Sequence, residues 1–232
     1  MDWKDYWNTR PTKYEVTDFY RQVDKTVGGK AVDIAQIQLA VKQIQVGLEL
    51  YQNDVTLDLC CGNGLITKEV AKLCKSIAAV DYSSHLIDIA NEYHKEKNIT
   101  YILGSALELA SSTFPSGPLF DKIYMHDSLQ YFNEKDLAQL LAHLKPLSTE
   151  RCPILFVGVP DQDRIWDFYN TPERRKEYEI RKANGQEAIG TWWEKELIAS
   201  IAAKEHYCCT FIKQPATTYS AHYRINALLC AA

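Results

Sequence analysis

No stretch of this 232-residue chain approaches the ~20 consecutive apolar residues that a membrane-crossing helix needs. The opening residues, MDWKDYWNTR, are too polar for a secretory leader, so the expectation is a cytoplasmic protein with no membrane partner. No Cys-x-x-Cys occurs. The cysteines, at 60, 61, 74, 152, 208, 209 and 230, are odd in number, and none has a histidine at zinc-finger spacing. Adjacent cysteines are poorly placed to bridge each other or to converge on one metal, and in a reducing compartment they behave as small apolar side chains. The reading therefore contains no metal site and no redox pair. A basic stripe is also missing: the formal charge is −4, and Arg174-Arg175-Lys176 is offset by Glu173, Glu177 and Glu179. Long nucleic acids bind largely through counterion release, which such a surface hardly supports, so no nucleic-acid partner is expected.

What is present is the material of one α/β core. Hydrophobic residues make up 46% of the chain and charged residues 24%, ordinary for a globular protein of a length that would cramp two full domains. Ile34, Ile37, Val41, Ile44 and Leu48 recur at the spacing of one buried helix face. From there strands and helices alternate: strand 55–61, helix 65–75, strand 76–82, helix 83–97 with Ser83 or Ser84 as N-cap, strand 98–105. A loop through Pro115, Gly117 and Pro118 leads to a strand at 120–127, a helix with Leu137, Leu140, Leu141 and Leu144 on one face, and a strand at 153–159. That rhythm predicts a Rossmann-like, doubly wound, mostly parallel sheet. Residues 205–214 and 221–230 read as a closing antiparallel hairpin. Two regions stand outside the alternation: an aromatic cap segment over residues 1–30, and a charged, aromatic insert over 160–191 within the main domain at 31–232.

The first chemical signal is VTLDLCCGNGLIT, residues 55–67. A strand that runs into Gly62-Asn63-Gly64 and then a helix presents backbone N–H groups and a helix N-terminus to a ligand. Asp81 ends the next strand, at about the ~20-residue offset where an acid meets a ribose diol; the same carboxylate is placed to cap the helix after it. The dinucleotide fingerprint would need a third glycine three positions after Gly64, where Thr67 stands, and the acid Asp58 inside the first strand suits a cationic or zwitterionic ligand better than a pyrophosphate. Both features point away from NAD.

Strand-Asp-x-x-Cys-Gly-x-Gly, an acidic strand end and Gly-x-Ala, here LDLCCGNG, AAVDYS and LGSALEL, followed by FDKIYMHDSLQYF, resemble the class I S-adenosylmethionine-dependent methyltransferases over roughly residues 50–160. The wording YRQVDKTVGGKAV is similar to bacterial members that methylate saccharides or secondary metabolites. The resemblance implies a seven-stranded sheet with one antiparallel strand, and S-adenosylmethionine as cofactor. It implies that Cys60, Cys61, Gly62 and Gly64 pass under the methionine part, with Asp58 near its amino group. Asp81 would hold the ribose, Tyr82 would pack on adenine, and Ser105-Ala106 would meet the adenine edge. The family usually has glycine where Cys60 stands and aspartate where Ser105 stands; a hydroxyl accepts a hydrogen bond more weakly than a carboxylate.

His126 and Asp127, at the end of the fourth strand, are the catalytic candidates. The imidazole is either a general base or a contact to the cofactor, and Asp127 either orients a neighbour or caps the next helix. Tyr14, Tyr131, Trp166, Tyr169 and Trp192 are expected around the acceptor, while Trp193 reads as core. The Asn/Asp-Pro-Pro-aromatic run typical of base-methylating relatives is replaced by His126-Asp127-Ser128-Leu129. The expected function is methyl transfer to oxygen or nitrogen of a small-molecule acceptor, a saccharide or secondary metabolite. A nucleotide-dependent dehydrogenase and a non-catalytic S-adenosylmethionine-binding module stay open on the same fold, and nothing in the sequence fixes the oligomeric state.

Overall fold

The alternation resolves into one seven-stranded sheet in the computed structural model, which describes residues 1–114 and 119–232; the loop through Pro115, Gly117 and Pro118 lies outside the described residues. The chain opens with α1 (Trp3–Thr9), α2 (Phe19–Gln22), a small hairpin of β1 (Thr26–Val27) and β2 (Lys30–Ala31), and α3 (Ile34–Leu48). The sheet then takes β3 (Val55–Leu59), β4 (Ser76–Asp81), β5 (Ile99–Leu103), β6 (Lys122–His126), β7 (Ile154–Pro160), β8 (Tyr207–Lys213) and β9 (Arg224–Ala231) in the order β5-β4-β3-β6-β7-β9-β8. The first five pair in parallel, and β9 runs antiparallel between β7 and β8.

Both faces are covered, and the pleat sorts side chains between them. Along β6 and β7, Ile123, Met125, Ile154 and Phe156 join one core with Leu137, Leu140, Leu141 and Leu144 of α6 (Glu134–Leu144) and Ile198 and Ile201 of α9 (Lys195–Lys204). Tyr124, Leu155 and Val157 face the other way, onto Ile37, Ile44 and Leu48 of α3. Trp193 lies in the first core, its indole N–H donating to the Leu129 carbonyl at 3.1 Å.

Local chemistry shortens three expected elements. The strand at 55–61 stops at Leu59 because Cys60 turns the chain with φ +59°. The helix at 65–75 shrinks to α4 (Thr67–Val70) plus a 3-10 turn (Ala71–Leu73), whose freed carbonyls at Ala71 and Cys74 accept from the Asn98 amide at 2.8 and 3.3 Å. Ahead of α5 (Ser84–Tyr93), Ser83 occupies the N-cap position but supplies no side-chain cap; instead its N–H donates to Asp81 Oδ1 at 2.9 Å. The 160–191 insert forms α7 (Ile165–Phe168) and α8 (Pro172–Ala183), packed around Ile165, Tyr169, Tyr178, Trp192 and Tyr223. Among the described residues no helix is long and apolar enough to cross a membrane.

Candidate active site

The carboxyl ends of β3, β4 and β6 open into one cavity of about 600 Å³, roofed by the N-terminal segment, α7, α8 and the 219–224 loop. That position is the crevice where open α/β sheets bind ligands. Gly62 adopts φ +57°, and a β-carbon there would come 2.9 Å from Val23 Cγ1 of the roof, so a side chain at this point would be strained and would push Val23 aside. Cys60 holds a left-handed φ despite its side chain, a conformation costing roughly 1–2 kcal/mol outside glycine. Asn63, fully buried, ties the loop to the roof: its amide donates to the Phe19 carbonyl and to Gln22 Oε1, both at 2.8 Å.

Asp81 faces this cavity, only 8% exposed. Its Oδ2 accepts from the Gly62 N–H and its Oδ1 from the Ser83 N–H, each at 2.9 Å. Burial raises its pKa from the usual carboxylate value, and the amide hydrogen bonds oppose that rise. Each oxygen accepts one backbone bond, which leaves lone pairs for a ligand diol. Asp58 lies deeper. Its Oδ2 accepts from Thr67 Oγ1 and from the Tyr124 hydroxyl, both at 2.6 Å, and burial pushes the carboxyl up to about 7.

At the end of β6, His126 and Asp127 meet two cations that sequence reasoning did not single out. Lys25 donates to Asp127 Oδ2 and stands 3.1 Å from His126 Nδ1. Arg224, also buried, lies 3.6 Å from Asp127 Oδ1, bonds the Gly158 carbonyl and reaches Gln130 Oε1 at 3.2 Å. The cations hold the Asp127 carboxyl well below its usual range against the desolvation that would raise it. Burial pushes His126 down to about 3, so the ring is neutral; burial also lowers the Lys25 pKa while Asp127 opposes that fall, and a Lys25 ammonium facing Nδ1 would place the ring proton on Nε2.

Residues 56–148 match a family model described as a methyltransferase domain. Magnesium-protoporphyrin O-methyltransferase of Rhodobacter capsulatus is 33% identical over 89 residues, 38% of this chain and 38% of that protein. An uncharacterized methyltransferase of Schizosaccharomyces pombe is 30% identical over 97 residues, 39% of this chain and 34% of its own. The matches thus span little more than a third of these curated relatives. Among solved structures, magnesium protoporphyrin IX methyltransferase from Synechocystis PCC 6803 with bound SAH superposes with TM-score 0.63 at 15% identity, covering 98% of this chain and 97% of that one. The DhpI-SAM-HEP complex gives 0.66 at 14%, covering 99% and 96%. Residues 56–148 are thus similar to a methyltransferase domain, and the fold of the chain is that of these solved methyltransferases.

S-adenosylmethionine is the cofactor that this family uses, and the residues present fit it. The turn from Cys60 to Gly62 borders the cavity, a buried acid faces it from the next strand, and the cavity volume is in the range of ~300–1,000 Å³ usual for small-molecule sites.

The cavity gathers Asp58, Cys60, Cys61, Gly62, Asp81, Tyr82, His126, Asp127 and Tyr131 of the expected residues. Others lie elsewhere. Gly64 packs its backbone against Tyr101 rather than lining the cavity. Ser105 uses its Oγ to accept from the Leu107 N–H at 3.2 Å, an N-cap role, and Ala106 is buried in the core. Tyr14 lies under the Arg10 guanidinium, 5.0 Å from its carbon, and Trp166 is 42% exposed beside Arg175. Tyr169 and Trp192 pack within the insert's own aromatic cluster; from that insert it is Phe168, Arg174, Ala188 and Ile189 that line the cavity. The N-terminal cap contributes Trp7, whose ring lies 5.5 Å from that of Tyr131, and Trp3, whose carbonyl accepts from the Tyr82 hydroxyl at 2.9 Å.

Proposed function

We propose that the chain moves the methyl group of S-adenosylmethionine to an oxygen or nitrogen of a small-molecule acceptor. The observation that carries this reading is Asp81: a buried carboxylate pinned by the Gly62 and Ser83 amides, facing a cavity large enough for a cofactor and an acceptor side by side. In this reading Asp81 accepts from the ribose hydroxyls, Tyr82 covers the adenine, and the backbone from Cys60 to Gly62 underlies the methionine part. Asp58, titrating at about 7, becomes ionised when an ammonium group is bound near it. When bound, the cofactor supplies the methyl group on a sulfonium, whose displacement is driven by its own chemistry.

The chain's own contribution is positioning and exclusion of water. The aromatic roof, with Trp7, Tyr131, Phe168 and Tyr223 on the lining, holds the acceptor away from solvent. His126, its Nδ1 engaged by Lys25, serves as an Nε2–H donor rather than as a base. A small acceptor is supported by the enclosing roof and by relatives named for porphyrin O-methylation. Absence of a nucleic-acid partner and a cytoplasmic setting belong to the same proposal; the seven unpaired thiols and the net charge of −4 support them. Calorimetric titration tests the reading: S-adenosylmethionine should bind saturably and NAD should not, and the opposite order would replace it with a dehydrogenase.

A further inference from the structure

Two histidines line the cavity, and they are placed differently. His126 is set deep, its Nδ1 3.1 Å from Lys25 Nζ. His222 stands at the mouth, exposed, on the turn that leads into β9. Among the described residues its ring nitrogens meet no hydrogen-bond or ion-pair partner; the ring rests edge-on against Tyr223, centroids 4.8 Å apart. The turn beneath it is braced by backbone. The Ala221 and Tyr223 N–H groups donate to the Thr218 and Ser220 carbonyls at 3.0 and 3.1 Å, and the Asp161 N–H donates to the Tyr223 carbonyl at 3.0 Å. Arg164 donates to the Ala221 carbonyl at 3.1 Å. An imidazole is thus held in place without its nitrogens being used to hold it.

The other groups on the lining that accept protons are already engaged. Asp24 Oδ1 accepts from Arg10 Nε and Nη2 at 3.2 and 3.0 Å, and its Oδ2 from the Tyr6 hydroxyl at 2.6 Å. Asp127 faces Lys25 and Arg224, Asp58 takes two hydroxyl donors, and Asp81 holds two backbone amides. Lys25 is committed to Asp127 and His126. Burial raises the Cys60 and Cys61 thiols and the Tyr131 and Tyr219 hydroxyls, so none of these supplies an anion near neutral pH.

His222 also lies on the acceptor's half of the cavity. Asp58, Asp81 and the turn from Cys60 to Gly62 belong to the cofactor in the reading above, and the other half is walled by Tyr131, Phe168, Tyr219 and Tyr223. The Phe168 and Tyr223 rings lie 4.6 Å apart, and the Arg174 guanidinium covers Phe168 at 4.6 Å. Flat rings pack on such walls in offset or edge-on geometry. A hydroxyl-rich saccharide would need free carboxylates to accept from it, and the four on the lining are all answered.

From these positions, and resting on the reading above, we infer that the acceptor is a hydroxylated aromatic compound and that His222 is the base that takes its hydroxyl proton. The O–H bond breaks as its proton passes to a His222 ring nitrogen, and an oxygen lone pair forms the new O–C bond. The C–S bond breaks and its electron pair stays on sulfur. The products are an aryl methyl ether, a thioether and an imidazolium. Exposure closes the cycle, because the imidazolium at the mouth hands its proton to water.

The test follows methyl transfer from radiolabelled S-adenosylmethionine to phenol, 2-naphthol and 4-nitrophenol at about pH 8, in the full chain and in His222→Gln. Phenol and 2-naphthol arrive protonated and need the base, whereas 4-nitrophenol arrives largely ionised. The wild-type chain should methylate phenol or 2-naphthol on oxygen. In His222→Gln the kcat for that acceptor should fall about a hundredfold or more, the scale of general-base catalysis, with KM within about threefold. The loss with 4-nitrophenol should be at least tenfold smaller, which also shows that the variant is folded. A merely structural role would slow every acceptor alike. Equal losses, a loss confined to KM, or a wild-type chain that binds S-adenosylmethionine yet methylates neither phenol nor 2-naphthol overturns the inference and leaves the cofactor reading standing. Failure of S-adenosylmethionine to bind the wild-type chain removes both.

Discussion

Lys25 Nζ stands 3.1 Å from His126 Nδ1 across 101 positions of sequence. Asp127 holds the Lys25 charge against the burial that lowers its pKa, and an ammonium has no lone pair, so with Lys25 charged Nδ1 accepts and Nε2 carries the hydrogen. The expected spectrum, in a long-range nitrogen–proton correlation experiment near pH 6.5, is a single neutral His126 tautomer protonated on Nε2. A doubly protonated ring, or a mixture of tautomers, would remove the basis for treating His126 as a donor. Lys25→Met should release the tautomer preference and cost about 3–5 kcal/mol in urea unfolding, because it leaves Asp127 buried with Arg224 alone.

His126 and Asp58 make opposite contributions to stability against pH. Burial lowers His126 from 6.5 to about 3, so below pH 6.5 the unfolded chain takes up a proton that the folded chain resists. Stability from this group is lost as pH falls from 6.5 toward 3. Burial raises Asp58 from 3.8 to about 7, so between these values the folded chain keeps a proton that the unfolded chain releases. Stability from this group is lost as pH rises through the same interval. Each slope has a ceiling of about 1.4 kcal/mol per pH unit, and they oppose one another between roughly pH 4 and pH 6.5. Relative to wild type, His126→Gln should lose stability with rising pH across that window and Asp58→Asn should gain it. Urea unfolding at three pH values checks both, and parallel curves for all three proteins would mean the burial-driven shifts are absent.

Asp81 is the point at which the proposed function is most easily broken. Asp81→Ala should weaken S-adenosylmethionine binding by about 1.5–3 kcal/mol, the scale of charge-assisted hydrogen bonds to a diol. The same change removes the acceptor for the Gly62 and Ser83 amides, so folding is checked alongside by thermal unfolding. Asp81→Asn keeps the shape and loses the charge, and should fall between wild type and alanine. Affinity for the cofactor near that of wild type in both variants would discard the site.

What the sequence made legible was what lies close together along the chain. The strand, glycine turn and acidic strand end sit within 55–81, and their spacing alone brought Asp81 beside Gly62. The terminal hairpin was readable from its pattern and the one antiparallel strand from the resemblance, whereas the insertion of β9 between β7 and β8 is seen only in the structure. Lys25 was illegible because its partners are more than 100 residues away and nothing local marks it except the Gly28-Gly29 turn that follows. Arg224 left a trace: it is the one charged residue in the run AHYRINALLC, and a charge inside a buried strand calls for a partner. Which of the aromatics between 160 and 192 line the cavity was not legible, because composition marks a lid without saying which rings face inward. Tyr169 and Trp192 turned toward each other, while Phe168 and Arg174 took the cavity side. Cys60 shows a limit of another kind, since a left-handed turn at a cysteine breaks the preference by which such turns are read.

The last prediction concerns how the charged cluster is fitted into the sheet. Gly158 adopts φ +76° where the β7–β9 register shifts between Phe156 and Val159, and a β-carbon there would collide with Asp127 Oδ1. Its N–H donates to Asn226 Oδ1 at 3.0 Å and its carbonyl accepts from Arg224, so the backbone cannot swing away without unpairing both. Gly158→Ala should therefore combine backbone strain with displacement of Asp127 from Lys25, a loss of about 3 kcal/mol or more in urea unfolding. Gly104→Ala is the control: a β-carbon there meets only Val80 Cγ1 at 3.7 Å, ordinary contact, and the change should stay within about 1 kcal/mol. The His126 tautomer supplies a second readout, because moving Asp127 also moves the ammonium that fixes it. If Gly158→Ala were as stable as Gly104→Ala and kept the Nε2 tautomer, the bulge would not be what seats the Lys25–Asp127–Arg224 cluster at the mouth of the cavity.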